Sequence, residues 1–159
     1  RDMGAAMSPF NAFMFIQGLE TLHLRMKEHS ANGQKVAEHL SKHPMVERVA
    51  YPGVASGLPK ERADKYLSNG CGGLLGFEIK GGHEAGKKFI NSLEMLYHVA
   101  NIGDSRSLAI HPASTTHSQL NEEELASGGI SPSYIRLSIG LEHIDDILAD
   151  IDQALAKAE

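Results

Sequence analysis

Tyr134-Ile-Arg-Leu-Ser-Ile139 alternates aliphatic and polar side chains, which is the pattern of a β-strand buried on one side. The aliphatic residues share one face, so Arg136 is predicted to point away from it. Downstream, from about His143 to Ala158, apolar residues recur at helical spacing behind aspartates that suit the first turn of a helix. The end of the chain is therefore predicted to be a strand followed by an amphipathic helix.

Similar patterns recur upstream, where apolar runs are separated by Pro and Gly turn signals. They predict three more strands and three shorter helices. The predicted strands are Val46–Tyr51, Leu74–Ile79 and Leu96–Ala100, and the helices are Leu58–Leu67, His83–Leu93 and a short one capped by Asn121. Short strands separated by helices, with a long helix at each end, favour an α/β (α+β) sandwich in which helices cover a mostly antiparallel sheet.

The first part of the chain, residues 1–43, is predicted to be one long helix. Ser8 can cap it, Pro9 suits its first turn, and His43-Pro44 ends it. Its beginning, Phe10 to Ile16, is apolar on nearly every side, whereas the later part is amphipathic. The helix is therefore expected to start buried and end exposed, and its first turns need a covering partner.

The window Asn101 to His117 concentrates hydrogen-bonding side chains behind the predicted strand Leu96–Ala100. Such groups cannot all be buried unless each finds a partner, so the window is predicted to be a solvated loop or the lining of a cleft. Within it, His111 and His117 are candidates either for a site or for structural hydrogen bonds in a turn.

Composition excludes several classes of function. At 159 residues the chain suits one domain; it has no apolar run of membrane-spanning length, and its first residues lead us to expect no secretory signal. The net charge of −5, with dispersed Lys and Arg, argues against nucleic-acid binding. A sole cysteine, Cys71, allows no internal disulfide and favours the cytoplasm. No histidine pair has the spacing of a zinc site, so no metal is expected.

Two side chains, those of Cys71 and Arg136, are candidates for a role in catalysis or binding. Cys71 could be a nucleophile, but it stands among glycines and nothing in the sequence supplies a base, so it is interpreted as a small structural residue. Arg136 stands within an apolar strand and needs an anion there. Its forked donors suit either the carboxylate of a ligand or a structural salt bridge with Asp or Glu.

Several motifs together resemble the Cys/Met metabolism family of pyridoxal-phosphate (PLP) enzymes. They are Ser8-Pro-Phe-Asn-Ala-Phe, Gln17-Gly-Leu-Glu-Thr-Leu with Arg25-Met26, Asn101-Ile-Gly-Asp, His111-Pro-Ala-Ser-Thr-Thr-His-Ser and Ile135-Arg-Leu-Ser-Ile-Gly-Leu-Glu-His. The resemblance covers nearly the whole chain, in the family's order, and corresponds to the family's C-terminal part.

The resemblance implies the small C-terminal domain of the aspartate-aminotransferase-like fold (fold type I), at 44–159, preceded by a connecting helix at 1–43. It implies that Arg136 and Asn101 hold the α-carboxylate of an amino-acid substrate and that Thr115 belongs to the same substrate site. The PLP-binding domain would lie upstream, and the whole enzyme would form dimers that pair into tetramers. None of the chain's lysines has the family's Ser-x-Thr-Lys context. No catalytic or cofactor-binding residue is therefore expected in this fragment, which is predicted to be inactive by itself.

Asn101, where lyases and cystathionine synthases of the family usually carry Ser, favours the sulfhydrylase branch. The implied reaction is γ-replacement in methionine biosynthesis: O-acetylhomoserine and sulfide give homocysteine and acetate. Cystathionine γ-synthase, O-succinylhomoserine sulfhydrylase and methionine γ-lyase activities stay open as alternatives. So does a complete, non-catalytic binding or assembly domain that keeps the fold without an active site.

Overall fold

The molecule is built on a five-stranded sheet. The computed structural model describes residues 2–159, apart from the side chain of Glu122. The strands are β1 (Val46–Ala50), β2 (Leu74–Ile79), β3 (Tyr97–His98), β4 (Leu108–Ile110) and β5 (Tyr134–Ser138). The helices are α1 (Pro9–Glu20), α2 (Leu22–Leu40), α3 (Leu58–Tyr66), α4 (Gly82–Ser92), α5 (Glu122–Ser127) and α6 (Ile144–Lys157).

The strand order is β1-β2-β5-β4-β3. Every neighbouring pair is antiparallel except β3 with β4. The prediction of a mostly antiparallel sheet with helices is therefore confirmed. The strand that carries Arg136, β5, lies in the middle of the sheet between β2 and β4.

One strand was missed by the sequence analysis. β4 lies inside the window that was predicted to be a loop or a cleft lining, and all of its residues are buried. The sheet thus has five strands where four were predicted. A strand of only three residues is too short to show a period of two. The strand predicted at Leu96–Ala100 is also shorter than expected, because only Tyr97 and His98 pair with β4.

The hydrophobic core lies between one face of the sheet and three helices. Aliphatic and aromatic side chains of β2 and β5 meet the second half of α2, α4 and α6, and Phe77 contacts Phe89 edge to face at 5.5 Å. The largest fully buried side chains of this core are Leu40, Leu75, Phe77, Ile79, Phe89, Ile135, Leu137, Ile139, Ile147, Ile151 and Leu155. The opposite face carries the charged and polar side chains of the same strands.

The predicted long first helix is broken, and its burial is the reverse of the prediction. Thr21 separates α1 from α2, and Arg25 bonds across the break to the Gly18 carbonyl (2.8 Å) and the Thr21 hydroxyl. No residue of α1 is buried, whereas the end of α2 lies in the core. Within residues 2–159, the sheet and helices offer a core only to α2, which is why the apolar start of the helix stays exposed.

Helix ends follow the predicted capping chemistry. The Ser8 hydroxyl accepts the Asn11 amide at 3.1 Å, and Asn121 forms a reciprocal capping box with Glu124. Across the described part of the chain, no helix is both long enough and apolar enough to cross a membrane.

Buried polar contacts tie α2 to the segment that follows β5. His29 Nδ1 donates to the Ile139 carbonyl at 2.6 Å, since a carbonyl oxygen can only accept. Asn32 Nδ2 donates to the carbonyls of Gly140 (3.2 Å) and Glu142 (3.1 Å). These bonds fix the chain just beyond Arg136 relative to the helical layer.

Candidate substrate-binding site

Arg136 lies on the face of the sheet opposite the core that the helices form with it. Its neighbours Ile135 and Leu137 are fully buried in the core, so the alternation of β5 turns Arg136 to the opposite side, as predicted. In the sheet it stands between Gly76 of β2 and Ile110 of β4. The guanidinium is therefore carried by the central strand of the sheet.

The guanidinium of Arg136 contacts the turn that begins at Asn101. Its Nη2 donates to the Asn101 backbone carbonyl at 3.3 Å. Among the described side chains, no carboxylate lies within ion-pair distance of Arg136, although Arg48 on the same face pairs with Glu78 at 2.6 Å. The structure thus brings Arg136 and Asn101 together, and the salt bridge considered for Arg136 is not formed within residues 2–159. The Arg136 residue is half-exposed.

The side chain of Asn101 is oriented by its own turn. Its Oδ1 accepts the Ile102 amide at 2.9 Å, and its backbone amide donates to the Val99 carbonyl at 3.1 Å. With Oδ1 engaged, the exposed Nδ2 group is the part of the side chain left to donate. Gly103 closes the turn with φ of +76°, a conformation that glycine adopts without strain.

The third predicted site residue, Thr115, is engaged elsewhere. Its hydroxyl donates to the His111 carbonyl at 2.8 Å and stabilises the turn at 112–114. Among the described residues, no hydrogen bond joins Thr115 to Arg136 or Asn101. The next residue, Thr116, is exposed, and its hydroxyl bonds His117 Nδ1 at 2.9 Å.

His111 is a buried structural residue. It is 0% exposed; Nε2 donates to the Pro132 carbonyl at 2.7 Å and Nδ1 bonds the Ser114 hydroxyl at 2.8 Å. Burial lowers the pKa of His111, and although the Pro132 bond opposes this, nearby His83, His98 and Lys87 lower it further. The neutral ring therefore joins two turns, which favours the structural alternative considered for this histidine.

Tyr134 belongs to the same surface and was not identified from the sequence. Its phenol lies directly over Gly76, where a Cβ would overlap the ring. Burial raises its pKa; the charges of Arg136 and Arg48 oppose the shift, and Glu78 adds to it. The signal was present in the sequence, because Tyr134 and Arg136 are two residues apart on one strand and so share a face.

The lysines of the chain do not fit a Schiff base to PLP. Such a lysine needs a desolvated amine that can lose its proton. All nine are exposed or half-exposed, and several pair with carboxylates, as Lys87 does with Glu84 at 3.4 Å. No described cluster of three His, Cys, Asp or Glu side chains could hold a metal ion. No lysine of residues 2–159 is thus in the desolvated environment that a Schiff base to the cofactor's aldehyde needs.

Comparison with known proteins shows the family. The sequence profile of the family described as Cys/Met metabolism PLP-dependent enzyme matches residues 1–156. O-acetyl-L-homoserine sulfhydrylase of Leptospira meyeri is 56% identical over 98% of the chain, and the L-methionine gamma-lyase of Pseudomonas putida is 47% identical over the same share. The chain covers 35% and 39% of these two relatives.

A solved structure shows the same fold. A Campylobacter jejuni protein described as an O-acetylhomoserine (thiol)-lyase, which carries N'-pyridoxyl-lysine-5'-monophosphate, superimposes with a TM-score of 0.88 at 48% identity. The match covers 98% of this chain and 37% of that one. The chain therefore spans little more than a third of the length of its relatives, and it belongs to the Cys/Met metabolism family of PLP-dependent enzymes.

Proposed function

We propose that this chain is the substrate-binding C-terminal part of an O-acetylhomoserine sulfhydrylase. Residues 1–43 would connect it to an upstream PLP domain, and 44–159 would form the small domain. The observation that carries the proposal is Arg136: a half-exposed arginine at the centre of a sheet, without a described ion pair, beside Asn101 on the face opposite the core. The sulfhydrylase relatives, at 56% and 49% identity, support the choice within the family.

In this proposal Arg136 and Asn101 bind the α-carboxylate of the amino-acid substrate. The guanidinium supplies charge and paired donors, and Asn101 Nδ2 supplies a further donor from the adjoining turn. PLP, when bound by the rest of the protein, supplies the electron sink for replacement of the γ-acetate by sulfide. The chain's own contribution is to hold one end of the substrate so that its γ-carbon is presented in a fixed position.

Replacement of Arg136 tests the proposal in the full-length protein. Arg136→Ala is expected to weaken substrate binding by about 2 to 5 kcal/mol, the range for truncating one partner of a buried charge pair. The measurement is KM and kcat/KM for O-acetylhomoserine with sulfide. Arg48→Ala is the matched control, since this arginine lies on the same face but is already paired with Glu78. Equal effects of both substitutions, or no effect of Arg136→Ala, would assign Arg136 a structural role.

Elimination is the alternative chemistry, because relatives named L-methionine gamma-lyase are 46% and 47% identical to this chain. The reaction products distinguish the sulfhydrylase activity from the lyase activity. A sulfhydrylase converts O-acetylhomoserine and sulfide to homocysteine and acetate, whereas a lyase, with water, releases a thiol, a keto acid and ammonia from methionine. Faster turnover of methionine than of O-acetylhomoserine would reject the sulfhydrylase assignment. The proposed binding of the substrate carboxylate by Arg136 and Asn101 would be unaffected by that result.

A further inference from the structure

The turn that carries Asn101 is fastened to the strand that carries Arg136. Two side chains on the outer face of β5 reach it: Arg136 donates to the Asn101 carbonyl at 3.3 Å, and the Ser138 hydroxyl accepts the Gly103 amide at 3.0 Å. Arg136 and Ser138 are two residues apart, so they point to the same side of the sheet. One strand therefore binds both ends of the turn.

The segment that follows the turn is held just as firmly, along the chain beyond β5. The Leu141 amide donates to the Ser105 carbonyl at 2.8 Å. Ser107 donates to Glu142 from its amide (2.6 Å) and its hydroxyl (2.9 Å), and that hydroxyl accepts the Gly140 amide at 2.9 Å. The base of the segment is thus secured independently of Arg136 and Ser138.

Near the site itself, Ser138 is the anchor of the turn that carries no charge and makes no use of the guanidinium. Ser138 is 4% exposed, and its hydroxyl accepts the amide of Gly103, which lies two residues from Asn101 in the chain. The other anchor is Arg136, whose guanidinium must also serve the incoming carboxylate. If only Arg136 held the turn, Asn101 would be positioned by the same group that binds the ligand.

We propose that Ser138 is a positioning residue for substrate carboxylate binding: by accepting the Gly103 amide it fixes the Asn101 turn relative to Arg136 before the substrate arrives. This inference rests on the proposed function of Arg136 and Asn101. Preorganisation of this kind improves affinity because the turn need not be ordered on binding. Ser138 touches neither substrate nor cofactor in this arrangement; it acts through the turn.

The test compares Ser138→Ala with Ser133→Ala in the full-length protein. Ser133 is also buried, at 8% exposure, but its hydroxyl bonds Ser131 at 2.8 Å and does not touch the turn. The probes are L-norvaline, which has an α-carboxylate and no γ leaving group, and L-norvalinamide, in which that carboxylate is a neutral amide. Calorimetry gives the Kd of each probe for each variant.

Ser138→Ala is expected to raise the Kd of norvaline about fivefold, the effect of one neutral hydrogen bond. The Kd of norvalinamide should change by less than about twofold in the same variant. Ser133→Ala should leave the Kd of both probes unchanged. A Ser138→Ala protein that keeps the wild-type preference for norvaline overturns the positioning role. A wild-type protein that binds both probes equally instead rejects the proposed carboxylate site, whatever Ser138 does.

Hydrogen exchange gives a second measurement that does not depend on activity. The Gly103 amide is bonded to Ser138, so its exchange is expected to accelerate in Ser138→Ala. The Leu141 amide, bonded to the Ser105 carbonyl, should stay protected if the rest of the fold is intact. Unchanged exchange at Gly103 contradicts the proposal, and loss of protection at Leu141 as well would mean that Ser138 supports the fold in general.

Discussion

At Gly86, packing is expected to favour glycine over alanine, although glycine is ordinarily the poorer helix former. Gly86 lies within α4, where alanine is ordinarily more stable than glycine by about 1 kcal/mol. A Cβ at this position, however, would lie 2.6 Å from His111 Nε2 and 2.9 Å from its Cδ2. The absence of a side chain allows the buried imidazole to reach the Pro132 carbonyl, so the helix accepts a poor helix former to keep that bond.

We therefore expect Gly86→Ala to destabilise the chain by about 1 to 3 kcal/mol, the usual cost of overpacking a core. Gly18→Ala is the control, because Gly18 is also helical and a Cβ there would meet nothing within 4 Å. That substitution should be neutral or stabilising by up to about 1 kcal/mol. Urea unfolding followed by circular dichroism measures both, and equal behaviour of the two variants would contradict the packing argument.

At the scale of an element, α6 is held to the rest of the molecule by one buried carboxylate as well as by its apolar face. Asp150 accepts the amides of Glu94, Met95 and Leu96, each at 2.9 Å. Burial raises the pKa of Asp150, but the bonds from Leu96, Glu94, Met95 and the Gln153 side chain outweigh it, so the pKa lies below its ordinary value. The carboxylate thus fixes the turn that leads from α4 into β3.

Asp150→Asn is expected to lower the free energy of unfolding by about 2 to 4 kcal/mol at neutral pH, because hydrogen bonds to a charged group are lost. Since the folded pKa is depressed, the stabilising contribution is complete above the unfolded pKa of about 3.9 and is lost as pH falls through the folded pKa. The wild type and the variant should therefore converge in acid. The exposed Asp146→Asn in the same helix should cost less than about 1 kcal/mol; a cost as large as that of Asp150→Asn would contradict the role of Asp150 in fixing the turn between α4 and β3.

Elements differed in how well the sequence predicted them, for a physical reason. β5 and α6 are long enough to display their periods, so their faces and the direction of Arg136 were predicted correctly. The strand β4 was not predicted, because the residues that flank it, Ser107 and His111, are polar and yet buried. Their partners Glu142 and Pro132 lie 35 and 21 residues away in the chain. Local pattern cannot supply such contacts, and for the same reason it did not reveal Ser138 as an anchor of the Asn101 turn.

At the scale of the whole molecule, α1 presents a surface that needs covering. The side chains of Phe10, Phe13, Phe15 and Leu19 are between 54% and 69% exposed. Contiguous apolar surface of this kind is rare on isolated soluble domains and usually marks a contact with another part of a protein. Together with coverage of 35% to 40% of the relatives' length, it supports the proposal that a cofactor-binding domain accompanies this chain.

The isolated 159-residue chain is accordingly expected to fold around its own core but to be inactive. Mixed with PLP, it should show no stable Schiff-base absorbance, because none of its lysines has the buried, uncharged environment that such a bond requires. It should not convert O-acetylhomoserine and sulfide to homocysteine. The full-length protein, in contrast, should show the Schiff-base absorbance and carry out the conversion. Circular dichroism of the same sample establishes that the chain is folded. A persistent absorbance band with turnover from the isolated chain would show that the binding groups for the cofactor lie within these residues after all.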